Sequence, residues 1–315
     1  MSATSLPELP QEFTALLDTL VPAPLRPAVE ASYQTPKPVH FRLNPLRADP
    51  AATLAELAPL EPEAVPGYPF TYRLPASARE SLTHHPAAGD GRLYIQGLAS
   101  MAAVLALEAR AGEEILDLAA APGGKTSLIA ALMENQGRLA AVEAVKPRYF
   151  RLKANLERLG VRNTRCYLKD GAGVGRLTPA RFDRVLLDAP CSSEARFTRL
   201  DPDSWSHWSP RKVKEMAKKQ TKLLASARAA LKPGGCLVYC TCALSPEENE
   251  LVLHQLLARH PDMAPEAFEP PRLPALPGLT AWQGRALDPR LALARRILPG
   301  PESDAFFICR LRKAA

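Results

Sequence analysis

The sequence has little that would mark a secreted, membrane-spanning or metal-binding chain. Its first twenty residues carry carboxylates at positions 8, 12 and 18, where a signal peptide has a basic start and an apolar stretch. The longest mostly apolar run, residues 98–107, is too short to cross a bilayer. The six cysteines include no CxxC pair and have no histidine at zinc-finger spacing. We therefore expect a cytoplasmic protein with no membrane or metal partner, whose cysteines are reduced.

The charge is unevenly distributed along the 315 residues, which carry a net +7. Residues 1–95 hold seven Lys/Arg and ten Asp/Glu, a net of −3, so the remaining 220 residues carry +10. Half of this excess lies in residues 196–222, which hold eight basic and three acidic side chains. A basic stripe next to a catalytic site would favour a nucleic acid. A solvated helix face rich in lysine explains the charge equally well.

The chain changes character near residue 95. Residues 1–95 are rich in proline, with a predicted helix at 11–20 and a predicted strand at 39–43. After a helix at 98–109, short buried strands alternate with helices, which predicts a doubly wound, mostly parallel sheet. The predicted strands are 114–119, 138–143, one that runs to residue 169, 182–188, 236–241 and 305–311. The predicted helices are 126–134, 147–159, 210–231 and one that follows a capping box of Ser245 and Glu248. The pattern leaves residues 261–301 unassigned. We predict an α/β fold with a small accessory domain at 1–95 and a larger domain at 96–315.

Polar residues follow the carboxyl end of each predicted parallel strand. They are Asp117 with the loop after it, Glu143, Asp170, Asp188 to Cys191, and Cys242. In open α/β sheets, ligands bind beyond the carboxyl ends of the strands. Packing alone does not explain so many polar positions at one edge of a sheet, so we expect a functional site there.

The loop after the first of these strands contains two glycines, which allow its backbone to come close to a ligand. It reads Ala119, Ala120, Ala121, Pro122, Gly123, Gly124 and Lys125. A Walker phosphate loop would need glycine at position 119, and no GxGxxG is present. Glu143 closes the next strand, 19 residues after Gly124, where nucleotide-binding sheets place a carboxylate for ribose hydroxyls. A tight turn without a ligand is the simpler interpretation of the loop alone. Together with Glu143, the loop predicts S-adenosylmethionine as the cofactor.

Thiols and a carboxylate stand at the ends of the fourth and fifth predicted strands, in Asp188-Ala-Pro-Cys191 and in Cys240-Thr-Cys242. At the end of the fourth strand, amine methyltransferases of this sheet type have the motif Asn/Asp-Pro-Pro-Tyr instead. Carbon 5 of cytosine is a poor nucleophile, so an enzyme must first add a thiolate to carbon 6. A cysteine beside a base-binding carboxylate fits that need. A buried structural role is the more common one for a single cysteine, and we expect it for Cys166, Cys236 and Cys309.

The sequence resembles the NOP/Sun family of RNA cytosine-5 methyltransferases. The matching segments are Phe41-Arg-Leu-Asn, Tyr94-Ile-Gln-Gly-Leu-Ala-Ser, residues 117–126, Asp188-Ala-Pro-Cys, residues 239–242, Pro246-Glu-Glu-Asn-Glu and Phe306-Phe-Ile. The resemblance implies a class I, Rossmann-like methyltransferase fold with an RNA-binding accessory domain. It implies that Cys242 is the nucleophile and that Cys191 assists release of the methylated base. Residues 119–125, Glu143, Asp170 and Asp188 would contact the cofactor, and Lys125 and Asp188 would also face the base.

Two residues depart from the family pattern, because Cys240 stands where serine is usual and Ser193 where glycine is common. The bacterial 16S rRNA members carry an additional N-terminal module or a C-terminal extension, for which 315 residues leave no room. We therefore leave the RNA partner open between rRNA and tRNA. The oligomeric state is also open, with a monomer expected. The alternatives are a DNA cytosine-5 methyltransferase, which would use only the Pro-Cys thiol, and a non-catalytic RNA-binding assembly factor.

Overall fold

The computed structural model describes residues 6–315, and its first part is a small α/β unit. The helices of this part are α1 (Gln11–Leu20), α2 (Arg26–Ser32), α3 (Pro50–Leu57), α4 (Arg79–His84) and α5 (Pro86–Gly89). The strands are β1 (Val39–Leu43), β2 (Glu63–Ala64), β3 (Thr71–Leu74) and β4 (Leu93–Ile95). They pair antiparallel in the order β2-β3-β1-β4 around a small apolar core that includes Phe41 and Leu57.

The second part begins with α6 and alternates strands with helices. Its helices are α6 (Leu98–Leu107), α7 (Gly124–Leu132), α8 (Lys146–Arg158), α9 (Val174–Leu177), α10 (Pro210–Ala230) and α11 (Glu250–Arg259). Its strands are β5 (Glu114–Asp117), β6 (Arg138–Glu143), β7 (Thr164–Leu168), β8 (Phe182–Asp188), β9 (Leu231–Thr241), β10 (Met263–Glu266), β11 (Ala275–Pro277), β12 (Ala281–Trp282), β13 (Arg285–Ala286), β14 (Arg295–Ile297) and β15 (Phe306–Lys313). None of the helices in residues 6–315 is long and apolar enough to cross a membrane.

The large sheet has the order β11-β14-β15-β9-β8-β5-β6-β7, and β10 also pairs with β15. Strands β7, β6, β5, β8 and β9 are parallel to one another, whereas β15 and the short strands beyond it are antiparallel. Because the connections are helical, two apolar cores lie against the sheet and bury its strands. The carboxyl ends of β5, β6, β7, β8 and β9 therefore meet at one edge. The α/β class and the mostly parallel sheet are confirmed.

Several predicted elements match the structure within a residue or two. The helix at 11–20 and the strands at 39–43, 138–143 and 182–188 are confirmed. The predicted capping box at Ser245 is wrong, because residues 246–248 form a single 3-10 turn before α11 and Ser245 makes no side-chain cap. Its hydroxyl donates to Glu194 instead, and the Glu248 carboxylate accepts from other loops. Long-range partners for both side chains replace the local cap.

The small unit packs closely on the large sheet. Phe13 and Leu17 of α1 share an apolar cluster with Phe197 and Leu244, which lie on the loops after β8 and β9. The change from the small sheet to the large one falls between Ile95 and Glu114. The division into domains at residue 95 stays a prediction.

Candidate active site

A cavity of about 620 Å³ lies at the carboxyl edge of the parallel strands. Its lining combines the loop after β5 with residues that follow β6, β7, β8 and β9. The expected site residues that line it are Ala119, Ala120, Ala121, Pro122, Gly124, Lys125, Glu143, Asp170, Asp188, Cys191 and Cys242. The structure therefore brings nearly all of them together around one space.

Gly123 is the expected loop residue that does not line this cavity. Its φ of +104° lies in the left-handed region, and a Cβ there would approach the Leu152 side chain to 3.1 Å. Gly124 has a different constraint, because a Cβ would lie 2.8 Å from the ring of Tyr94. Gly123 thus allows the turn, and Gly124 allows the first residue of α7 to pack against Tyr94 of the small sheet.

Glu143 is held in place at the end of β6. Its carboxylate is buried, and it accepts a hydrogen bond of 2.9 Å from the backbone N–H of Val145. Arg148 of α8 lies 3.6 Å from the same carboxylate and donates at 2.8 Å to the carbonyl of Ala121. Arg148 therefore ties the carboxylate to the loop after β5. Nothing in the sequence pattern marked Arg148 as a site residue.

Asp117 is buried at the end of β5, below the loop. One carboxylate oxygen accepts from Thr126 at 2.7 Å, and the other has no hydrogen-bond partner among the described residues. Burial raises the pKa of Asp117 to about 7, against the opposing effect of the Thr126 hydrogen bond. A buried acceptor at the base of the loop is a feature that a ligand or a water could satisfy.

Lys125 and Asp188 form an ion pair on the floor of the cavity, with Nζ and Oδ2 2.6 Å apart. Burial alone would lower the pKa of Lys125, but Asp188 and the nearby thiols raise it above its ordinary value. Lys125 therefore stays charged. The ammonium also lies 5.4 Å from the centre of the Phe306 ring, which connects it to the Phe306-Phe-Ile segment.

Two thiols face each other beside this ion pair. Cys191 Sγ, on the loop after β8, lies 3.1 Å from Cys242 Sγ, on the residue after β9. Both cysteines are free and partly exposed to the cavity. The adjacency of β8 and β9 in the sheet explains why residues 51 positions apart meet.

The two thiols are not equivalent. The hydrogen bond between the two thiols lowers the pKa of Cys242 to about 7 despite its burial, and the nearby charge of Arg196 acts in the same direction. The pKa of Cys191 is raised well above its ordinary value by its bond to Cys242, by burial and by Glu248. Lys125 is paired with Asp188, and Arg196, at the rim of the cavity, is the cation that lowers the pKa of Cys242.

The third thiol lies deeper. Cys240 is fully buried, and its Sγ lies 3.6 Å from Oδ1 of Asp188. Burial and the Asp188 charge raise its pKa well above the ordinary value. It does not line the cavity. This position suits a small residue that hydrogen-bonds to Asp188, and serine could make the same hydrogen bond.

Ser193 adopts the left-handed backbone conformation, with a φ of +64°. This conformation favours glycine, which is the residue common in the family at this position. The Ser193 hydroxyl lies 3.9 Å from Cys242 Sγ. The departure from glycine thus adds a polar group next to the thiol pair at the cost of some backbone strain.

The basic segment 196–222 contains a loop and most of α10. Lys214, Lys218 and Lys219 are exposed, and Arg196 and Lys219 line the cavity. The other face of α10, which includes Leu223 and Leu224, is buried against the sheet. The exposed cations therefore continue outwards from the site.

Comparison with known proteins gives the family. Residues 104–312 match a family model described as 16S rRNA methyltransferase RsmB/F. The chain belongs to this family.

Other members show how far the likeness of this RsmB/F chain extends. A ribosomal RNA small subunit methyltransferase F from Cronobacter sakazakii is 38% identical over 98% of the chain and 64% of its own length. Its counterpart from Pectobacterium carotovorum is 44% identical over 72% of the chain and 45% of its own length. The chain thus spans between about half and two thirds of the length of these relatives. A crystal structure of a methyltransferase homolog protein from Pyrococcus horikoshii is 31% identical, with a TM-score of 0.78 over 97% of the chain and all of that protein.

Proposed function

We propose that the chain is an S-adenosylmethionine-dependent RNA cytosine-5 methyltransferase with Cys242 as its nucleophile. The observation that carries the proposal is the thiol pair, 3.1 Å apart, beside the Lys125–Asp188 ion pair and in the same cavity as the loop after β5. Membership of a family of 16S rRNA methyltransferases supports the same conclusion.

The residues of the cavity fit adenosylmethionine. Glu143 presents a buried carboxylate suited to ribose hydroxyls, and Asp170 stands across the cavity at the end of β7. The backbone of residues 119–125, with no side chain larger than proline before Lys125, leaves room for a nucleoside. When bound, the cofactor supplies an electrophilic methyl group.

The chain's own residues provide the covalent chemistry on the base. The target cytidine is flipped from its stack, at a cost of a few kcal/mol. Asp188 accepts from the cytosine amino group, a contact that carboxylates make to this base. The Cys242 thiolate adds to carbon 6, which makes carbon 5 nucleophilic. After carbon 5 is methylated and loses its proton, the bond to Cys242 breaks and the double bond re-forms, with Cys191 assisting.

The RNA partner follows from the relatives and from the charge. The curated relatives are named for small-subunit ribosomal RNA, so we propose rRNA ahead of tRNA. The exposed lysines of α10 and the small unit at 6–95 would hold the RNA outside the cavity. A cytoplasmic monomer is the state we propose for this activity.

The test is methyl transfer from labelled adenosylmethionine. Purified protein is incubated with 16S rRNA, with small ribosomal subunits, with tRNA and with duplex DNA, and the products are digested to nucleosides. We expect 5-methylcytidine from ribosomal RNA, and none with Cys242→Ser. Labelled 5-methyldeoxycytidine from DNA alone would favour a DNA methyltransferase. Binding of RNA and cofactor without any transfer would favour an assembly factor.

A further inference from the structure

The two thiol-bearing loops are joined to each other by a pair of buried carboxylates. Glu248, on the loop after β9, accepts from the backbone N–H of Ser192, on the loop after β8, at 3.0 Å. In return, Glu194 accepts from the N–H groups of Leu244 and Ser245, at 2.7 and 2.8 Å. Each loop thus supplies the acceptor for the other's backbone, so the distance between the thiols depends on both carboxylates.

Gln220 of α10 extends this connection to the other side of Cys191. Its Nε2 donates to Glu248 at 2.8 Å and to the carbonyl of Pro190 at 3.0 Å. The residues before and after Cys191 are therefore both held by the Glu248–Gln220 pair. The hydrogen bonds that the Glu248 carboxylate receives from Ser192 and Gln220 come from N–H donors, which is the arrangement that suits an ionised carboxylate. Burial acts in the opposite direction and raises the pKa of Glu248 to about 7.

The charges around the thiol pair are placed asymmetrically. The charge of Glu248 raises the pKa of Cys191, whereas the charge of Arg196 lowers the pKa of Cys242. Asp188, paired with Lys125 at 2.6 Å, also faces the pair and raises the pKa of Cys242, and the Glu194 carboxylate lies against the loop beyond Cys242, where four hydrogen bonds hold it. The carboxylate that affects Cys191 is Glu248, and the cation that affects Cys242 is Arg196.

We propose that Glu248 is a positioning residue that keeps the shared proton on Cys191, so that Cys191 is the hydrogen-bond donor and Cys242 the thiolate. In release, which rests on the proposed function, the carbon-5 proton goes to water and the C6–S bond breaks. The electron pair returns to Cys242 Sγ, where the Cys191 thiol stabilises it through the 3.1 Å contact. Glu248 thereby sets which thiol attacks and which one assists departure.

The test measures where a thiol reagent reacts and needs no RNA. Iodoacetamide at limiting concentration is added to the full chain, and mass spectrometry gives the ratio of alkylated Cys242 to alkylated Cys191. In the unmodified protein we expect at least ten times as much alkylated Cys242 as alkylated Cys191. Glu248→Gln should reduce that ratio several-fold. Glu247→Gln is the matched control, since its carboxylate accepts from Trp282 at 3.0 Å and does not contact either loop's thiol; it should leave the ratio unchanged.

A second variant keeps the test decisive where Glu248→Gln does not fold. Gln220→Leu removes the donor that joins Glu248 to the Pro190 carbonyl and should shift the ratio in the same direction. An unchanged ratio in a folded Glu248→Gln, or in Gln220→Leu when the first variant is unfolded, would overturn the proposal. With RNA, Glu248→Gln should also form the covalent adduct more slowly, because less of Cys242 is thiolate. If the unmodified protein methylates nothing, the proposed function fails, while the alkylation ratio still decides the role of Glu248.

Discussion

Cys242 and Cys191 share a hydrogen bond, and single residues around them decide which sulfur is ionised. An unperturbed thiol has a pKa of about 8.5, so only about 3% of it is thiolate at pH 7. The hydrogen bond between the two thiols and the charge of Arg196 bring the pKa of Cys242 to about 7. Cys242 therefore ionises at a lower pH than an ordinary thiol.

This difference predicts the pH dependence of alkylation at Cys242. Because the pKa is lowered, the thiolate is present above about pH 7 and is lost as the pH falls below it. The rate of reaction with iodoacetamide, followed by mass spectrometry of the Cys242 peptide, should rise through a midpoint near pH 7 and then level off. Arg196→Gln should move the midpoint upwards, and Arg211→Gln, an exposed arginine of α10, should not. A midpoint at or above pH 8.5 in the unmodified protein would contradict this account.

At the scale of elements, β1 of the small sheet is fastened to the start of α7. Arg42 is fully buried and donates to Gln96, to the Gly124 carbonyl and to the Ser127 hydroxyl, at 3.0, 3.3 and 2.6 Å. Its guanidinium also lies 5.3 Å from the centre of the Tyr94 ring. Burial lowers the pKa of Arg42 to about 10, so it is still charged at neutral pH. The helix that carries Lys125 is thus anchored by a residue outside the large sheet.

Replacing Arg42 with methionine should loosen this connection. The buried acceptors at Gln96, Gly124 and Ser127 lose a charged donor, which we expect to lower the free energy of unfolding by about 2–3 kcal/mol. Denaturant unfolding measures the loss, and calorimetry should show weaker cofactor binding. Arg47→Met, at an exposed arginine on the next loop, is the control and should cost about 0.5 kcal/mol or less. Equal stability and equal cofactor affinity in both variants would show that the contact does not organise α7.

The basic face of α10 is the second element with a testable role. If this face contacts RNA phosphates, changing Lys214, Lys218 and Lys219 to Glu should weaken RNA binding. The slope of log affinity against log salt concentration should fall by roughly one unit per lost contact. Fluorescence anisotropy over a range of salt concentrations measures both. Arg162, Arg165 and Arg176, three exposed arginines elsewhere, serve as the matched control when changed to Glu. An unchanged slope for the lysine variant would mean that this face of α10 is only solvated.

At the scale of the whole molecule, the cavity joins five strands, so a ligand there should stabilise the entire fold. Adenosylmethionine at a hundred times its Kd should add about 2.7 kcal/mol to the free energy of unfolding, visible as a rise in Tm. Glu143→Ala should remove most of that rise. Glu157→Ala, at an exposed carboxylate of α8, should retain it. No rise in Tm for the unmodified protein, with calorimetry agreeing, would contradict the cofactor assignment.

The sequence predicts those parts of this molecule that local patterns encode. Strands buried on both faces appear as short apolar runs, which is why β6 and β8 are found at their predicted bounds. The convergence of Asp188, Cys191 and Cys242 follows from the parallel order alone.

Local sequence patterns do not predict the contacts between segments that are distant in the chain. Ser245 and Glu248 have the spacing of a capping box, yet both bond to the loop after β8. Arg148 and Arg196 have no local signal, because their roles depend on which loops lie opposite them. The unassigned residues 261–301 contain the short strands β10 to β14, whose pairing with β15 and with one another is equally non-local.

The covalent bond between Cys242 and the base is the central claim, and adduct formation tests it most directly. Cys242→Ser, Cys191→Ser and Cys240→Ser proteins are each incubated with labelled RNA and cofactor, then separated on a denaturing gel. Cys191→Ser should accumulate a slow, methylated protein–RNA band because release fails. Cys242→Ser should give neither band nor product. Cys240→Ser is the control, since its side chain lies outside the cavity, and it should keep most of the activity. A band with Cys242→Ser and none with Cys191→Ser would contradict the account and make Cys191 the nucleophile.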